Sequence, residues 1–154
     1  MSMCFAMQKI LQKAKITHQL SKSEIIQLLQ SDGAELFKTA NEIRKKNVGN
    51  EVHLRALIEF SNICRCNCKY CGIRAKNSKA ERYRLSKTEI IDLAKHAINS
   101  GYKTIVLQSG EDLYFSAEKL AEIIKEIKSI SQNIAITLSI GERSFEEYKI
   151  LKNA

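Results

Sequence analysis

Proline is absent from all 154 residues, so no helix or strand is broken by its fixed φ and missing amide. Histidine is scarce: His18, His53 and His96 stand apart, without the spacing of a zinc finger. Aromatic residues make up only 6% of the chain and do not interleave with its basic residues as a base-stacking platform would. No stretch approaches the run of about 20 apolar residues that a membrane-spanning helix needs. The five cysteines are odd in number and clustered, unlike the disulfide framework of a small secreted domain. A cytoplasmic protein that does not enter membranes is the expectation.

What is present is concentrated. Cys64-Arg65-Cys66-Asn67-Cys68-Lys69-Tyr70-Cys71 holds four of the five cysteines, directly after the strand-like run Leu54 to Phe60. Thiolates are soft ligands that suit zinc or iron–sulfur clusters. A structural zinc site usually draws on two separated pairs, and here the second pair is missing, Cys4 being far away in sequence. The run does contain C-x3-C-x2-C, as Cys64, Cys68 and Cys71, with the aromatic Tyr70 just before the last thiol. Cys66 falls outside that spacing. It is a spare thiol, a rival ligand, or the fourth thiolate of a zinc site. The last option defines a competing function, a non-catalytic zinc module whose basic loop contacts nucleic acid.

The net charge is +8, from 25 Lys and Arg against 17 Asp and Glu. Basic residues are dense from Arg65 to Lys87, which makes a solvated basic loop or compensates a cluster's negative charge. Nucleic acid is not the expected partner.

Along the chain, residues 1–50 read as a helical segment that packs on the rest of the chain. A first helix runs from about Cys4 to Ala14. Ser21-Lys22-Ser23-Glu24 is a capping box opening a second, with Ile25, Ile26, Leu28 and Leu29. A third runs from about Ala34 to Asn47, with Leu36, Phe37, Ala40 and Ile43 at helical spacing. Residues 51–154 change texture. Strands are predicted at Val52–Phe60, Thr104–Leu107 and Ile134–Leu138, each followed by a helix. Two of those helices open on capping boxes at Ser86–Glu89 and Ser144–Glu147, and Ser116 caps the one between. Strand and helix alternating three times imply right-handed crossovers and a parallel sheet.

The fold class is therefore α/β, a partial TIM-type barrel of about three β/α units preceded by N-terminal helices. Three strands leave an inner face open. Leu57 or Ile58, Ile105 or Val106, and Ile136 or Leu138 would project toward it, so the chain alone is expected to aggregate or oligomerise unless the N-terminal helices fold over the open face. Every loop after a strand lies on the carboxyl face of such a sheet. One loop carries the cysteines, the second is Gln108 to Asp112, and the third is Ser139 to Arg143. Gly110 and Gly141 either make tight turns or approach a ligand. Glu111 and Glu142 either cap helices or face a site.

The cysteine motif resembles that of the radical S-adenosylmethionine (SAM) enzymes. Ile58-Glu59-Phe60-Ser61-Asn62, Tyr70-Cys71-Gly72-Ile73-Arg74, Arg82-Tyr83-Arg84-Leu85, Thr104 to Asp112, and Thr137-Leu138-Ser139-Ile140-Gly141-Glu142 narrow the likeness to one branch. That branch contains the di-iron hydrogenase maturase, methylornithine synthase and, more distantly, biotin synthase; the maturase is the first choice. The resemblance implies a 4Fe-4S cluster on Cys64, Cys68 and Cys71, with one iron left open for SAM. It implies that Tyr70 contacts adenine and that Ser109-Gly110-Glu111 meets the methionine amino group. Ser139 and Glu142 would join the cofactor site, and Gln108 and Thr137 would face substrate. The implied chemistry is reductive cleavage of SAM to a 5′-deoxyadenosyl radical that attacks a small-molecule substrate. It calls for an electron donor and for other hydrogenase maturation proteins as partners. A full barrel needs about 250 residues, so the chain is expected to be a fragment, incomplete for catalysis alone.

Overall fold

The computed structural model describes the backbone of residues 3–154 and the side chains from Phe5 onward. Its residues divide into two compact units, Met1–Val52 and His53–Ala154.

The first unit is helical, with α1 Met3–Thr17, α2 Lys22–Leu29 and α3 Ala34–Val48. The Ser21 box forms as the sequence predicts: the Glu24 amide donates to Ser21 Oγ at 3.3 Å, and the Ser21 amide donates to Glu24 Oε2 at 2.6 Å. Ile10, Leu11 and Leu28 are buried together, with Leu20 and Leu36 packed against them. The apolar faces expected of α2 and α3 are only partly covered; Leu29 and Phe37 remain more than 70% exposed. Three short helices have too little mutual surface to bury every apolar side chain they carry.

The second unit is a three-stranded parallel sheet of order β1-β2-β3, formed by Ala56–Ser61, Thr104–Ser109 and Ala135–Ser139. Its helices are α4 Lys87–Asn99, α5 Ala117–Ile130 and α6 Phe145–Lys152. The capping boxes at Ser86 and Ser144 and the Ser116 cap all form. The first strand is shorter than expected. Ala56 pairs with Ile105 near the start of β2, so Val52 to Arg55 have no ladder partner and stay out of the sheet.

Side chains alternate across the sheet. Ile58, Phe60, Ile105 and Leu107 are buried on the face that carries the helices, where they join Ile90, Ala94, Leu120, Ile123 and Ile127 in one cluster. Phe60 and Phe115 add an edge-to-face pair with centroids 4.7 Å apart. The opposite face carries Leu57, Glu59, Val106, Gln108, Thr137 and Ser139 by alternation, and Leu57 is 54% exposed. Leu57 and Val106 thus take the open-face positions, while Ile136 and Leu138 pack on the helix side. Polar residues of β3 replace them, which makes the open face more polar than its sequence suggested.

This assignment of faces predicts unequal truncation costs. Leu107→Ala should lose about 2–5 kcal/mol of stability by urea titration, whereas Leu57→Ser should stay within about 0.5 kcal/mol. Equal losses would contradict it.

Candidate metal and cofactor site

The cysteines lie in the loop that leaves β1, and short backbone bonds fold it back on itself. The Cys71 amide donates to the Cys68 carbonyl at 3.0 Å, the Ala75 amide to the Cys66 carbonyl at 2.8 Å, and the Lys76 amide to Asn67 Oδ1 at 2.8 Å. The loop returns beside its own root through an antiparallel bridge of Ser61 with Arg84, and the Leu85 amide donates to the Phe60 carbonyl at 2.8 Å. Cys64, Cys66 and Cys71 are half-buried and Cys68 is exposed. Tyr70 is 93% exposed.

The loop after β2 presses directly on the cysteine loop, and Gly110 makes this approach possible. A Cβ at Gly110 would overlap the Ile63 carbonyl and stand 2.8 Å from Cys64 Cβ. The Gly110 amide donates to the Ser61 carbonyl at 3.0 Å, and the Arg65 amide to the Glu111 carbonyl at 3.2 Å. The loop after β3 closes in on the same point. Gly141 has a φ of +78°, and a Cβ there would meet Glu111 Cγ at 2.6 Å. All three loops at the carboxyl end of the sheet therefore meet around Gly110 and Glu111.

Glu111 links the loops electrostatically as well. Arg65 donates to its Oε1 through Nε at 3.0 Å and Nη2 at 2.5 Å, and the Cys66 thiol donates to Oε2 at 2.8 Å. Those bonds, Cys66 first and Arg65 second, hold the Glu111 carboxyl below its ordinary range. The same carboxylate, aided by burial, pushes the Cys66 thiol up to about 11. Beneath lies Asp112, which is 2% exposed. It accepts from Arg84 Nε at 2.7 Å, Arg84 Nη2 at 2.8 Å, Ser61 Oγ at 2.7 Å and the Tyr114 amide at 3.1 Å. Burial pushes its pKa up, but these donors more than offset that and leave it lowered.

Sequence reasoning did not single out Asp112 or Arg84 for this cluster. The other expected residues are less tightly joined. Gln108 Nε2 donates to Ser139 Oγ at 3.4 Å, and Thr137 lies on the same open face. Ser109 Oγ donates to the carbonyl of Gly110 at 2.7 Å, and Glu142 is exposed beside the site. Arg143, which was not anticipated either, buries its side chain and leaves Nε as an orphan donor among the described residues.

Among the described residues, no three His, Cys, Asp or Glu side chains are gathered closely enough to hold a metal ion. This applies equally to the three-thiol and the four-thiol set, and the thiol of Cys4 lies outside the described side chains. The chemistry of the donor set nevertheless fits an iron–sulfur cluster. Cys64 Sγ already accepts from the Cys66 amide at 3.4 Å, the kind of bond that stabilises charge on a ligating sulfur. Cys68 and Cys71 share one turn, and Cys66 is diverted to Glu111.

Residues 58–154 match the Radical SAM superfamily. The chain belongs to the Radical SAM superfamily. It is 53% identical over 119 residues to the [FeFe] hydrogenase maturase subunit HydE of Thermotoga maritima, a match covering 77% of this chain and 34% of the relative. It is 33% identical over 117 residues to the 3-methylornithine synthase of Methanosarcina acetivorans, with 72% and 33% covered. Among solved structures, methylornithine synthase (PylB) superposes with a TM-score of 0.82 at 25% identity, over 94% of this chain and 44% of that one. The FeFe-hydrogenase maturase HydG from Carboxydothermus hydrogenoformans gives 0.81 at 31% identity, over 97% and 36%. The chain thus spans about a third of the length of the curated relatives it matches. Its three β/α units are consistent with part of a radical SAM barrel. No helix among the described residues is long and apolar enough to cross a membrane.

The Asp112 cluster has a testable pH signature. Asp112→Asn should cost about 1–3 kcal/mol at neutral pH, toward the low end because Arg84 is 39% exposed and screened by water. A lowered native pKa stabilises the fold above the unfolded carboxylate value, and this contribution is lost as pH falls through the native one. Below about pH 4 the gap between the parent and Asp112→Asn should therefore shrink in urea titrations. A gap that stays constant into acid would refute the ion-pair account.

Proposed function

We propose that this chain carries the cluster- and SAM-binding part of a radical SAM enzyme of the hydrogenase-maturase type. Residues 51–154 are read as the N-terminal part of its barrel, and residues 1–50 as a separate helical segment that precedes it. The observation that carries the proposal is the meeting of three loops at Gly110 and Glu111, with the C-x3-C-x2-C thiols on one of them. In this reading Cys64, Cys68 and Cys71 hold a 4Fe-4S cluster. When bound, such a cluster supplies the single electron for reductive cleavage of SAM.

The chain's own residues bind and orient. Ser109, Gly110 and Glu111 offer backbone and a carboxylate to the methionine end of SAM, and Glu111 is already aligned by Arg65. Tyr70 offers a ring to adenine; Ser139 and Glu142 border the same end of the sheet. Gln108 and Thr137, on the open face, meet a small-molecule substrate. A one-electron donor and other hydrogenase maturation proteins are the proposed partners. The maturase reading is favoured over a methylornithine synthase by 53% against 33% identity.

Anaerobic reconstitution with iron and sulfide tests the ligand set. The parent chain should gain a broad visible absorption that dithionite bleaches. Cys64→Ala, Cys68→Ala and Cys71→Ala should each abolish iron binding, while Cys66→Ala retains it. Equal loss in all four variants, or a colourless chain that takes up only zinc, would overturn the proposal.

A further inference from the structure

The cysteine loop contains almost nothing that could form a hydrophobic core: between Ser61 and Leu85 it is mainly Cys, Asn, Lys, Arg, Gly and Ser. At its middle lies the half-buried side chain of Arg82. Arg82 Nη1 donates to the Asn62 carbonyl at 2.6 Å and the Ile73 carbonyl at 2.8 Å, and Nη2 to the Arg74 carbonyl at 2.8 Å and the Asn77 carbonyl at 3.4 Å. Asn62 lies two residues before Cys64, and Ile73 two residues after Cys71. One nitrogen therefore fastens together the two ends of the whole cysteine run.

A carbonyl shielded from water and left without a donor is costly, and in this loop four half-buried carbonyls converge on one planar, permanently charged group; those of Arg74 and Asn77 also accept the Asn77 and Ala80 amides, so the Asn62 and Ile73 carbonyls depend on it most. The guanidinium does here what an apolar cluster does in the sheet. We infer that Arg82 is a positioning residue for the thiols. It sets the span of the loop from Asn62 to Ile73 and so limits how far the backbone of Cys64, Cys68 and Cys71 can spread before a cluster draws the thiols together. The inference rests on the proposed cluster reading for its purpose, though not for its geometry. Lysine cannot substitute, because its ammonium is a point charge without the fork that reaches several carbonyls at once.

The test compares the parent chain with Arg82→Lys and Arg82→Ala. In the metal-free protein, iodoacetamide labelling of each cysteine is followed by mass spectrometry. Iron content and visible spectrum are then measured after anaerobic reconstitution, and stability by urea titration. In Arg82→Ala, labelling of the half-buried Cys64 and Cys71 should accelerate by about tenfold or more, as local opening exposes them. Iron uptake should fall by more than half, with Arg82→Lys close to it. Methylguanidine at roughly 20 mM should restore both readouts in Arg82→Ala but not in Arg82→Lys, whose side chain fills the space.

Parent-like labelling and iron uptake in both variants would overturn the inference. So would a fall in the urea midpoint as large as that of Leu107→Ala with no rescue by methylguanidine, since Arg82 would then be a general structural residue. If Arg82→Ala does not fold, Arg82→Lys decides by the same measurements. A parent chain that takes up no iron defeats the cluster reading, while the labelling comparison still judges Arg82.

Discussion

The site depends on how closely two stretches of backbone approach each other. Gly110 lies so near Ile63 and Cys64 that no side chain fits between them. That approach brings the loop after β2 onto the root of the cysteine loop. It sets Glu111 where Arg65 and Cys66 both reach it, and aims Asp112 back at Ser61 and Arg84. Gly141 then folds the third loop over Glu111.

Two kinds of cohesion divide the second unit. Behind the sheet, Ile90, Ile105, Leu107, Leu120 and Ile127 are fully buried, and apolar burial of about 25 cal/mol per Å² supplies the stability. At the carboxyl end, the cysteine loop carries few apolar side chains, and hydrogen bonds and ion pairs define its shape. Charged groups need their partners there, since a buried polar group without one is penalised. The division suits a site whose ligands have to stay accessible at the surface while their spacing stays fixed. Cys68 and Tyr70 are exposed, yet the backbone beneath them is tied at Cys66, Asn67 and Cys71.

Local rules made much of the fold legible in advance. Three capping boxes, the apolar run Thr104–Leu107 and the strand–helix alternation correspond to helices and strands with ends displaced by a few residues. Where a rule needed a partner it could not see, it misjudged the outcome. Val52 to Arg55 have strand-like sequence but no neighbour across the ladder, and Phe37 has helical spacing but stays largely exposed. The cysteine spacing pointed to the Radical SAM superfamily that residues 58–154 match, because the order of the thiols is written in the chain itself. The Asp112 and Arg82 clusters were not legible. Their longest links join Asp112 to Ser61, 51 positions away, and Arg82 to Asn62, 20 positions away, and nothing in the local sequence distinguishes Arg82 from its basic neighbours.

Gly110→Ala tests most directly whether the close approach of the two loops makes the site. Iron uptake on anaerobic reconstitution would be measured beside far-ultraviolet circular dichroism and the urea midpoint of the same preparation. The account predicts a folded sheet with its helices intact and iron uptake largely lost, because an added methyl group separates Gly110 from Cys64. A folded Gly110→Ala chain that takes up as much iron as the parent, with the same spectrum, would contradict it.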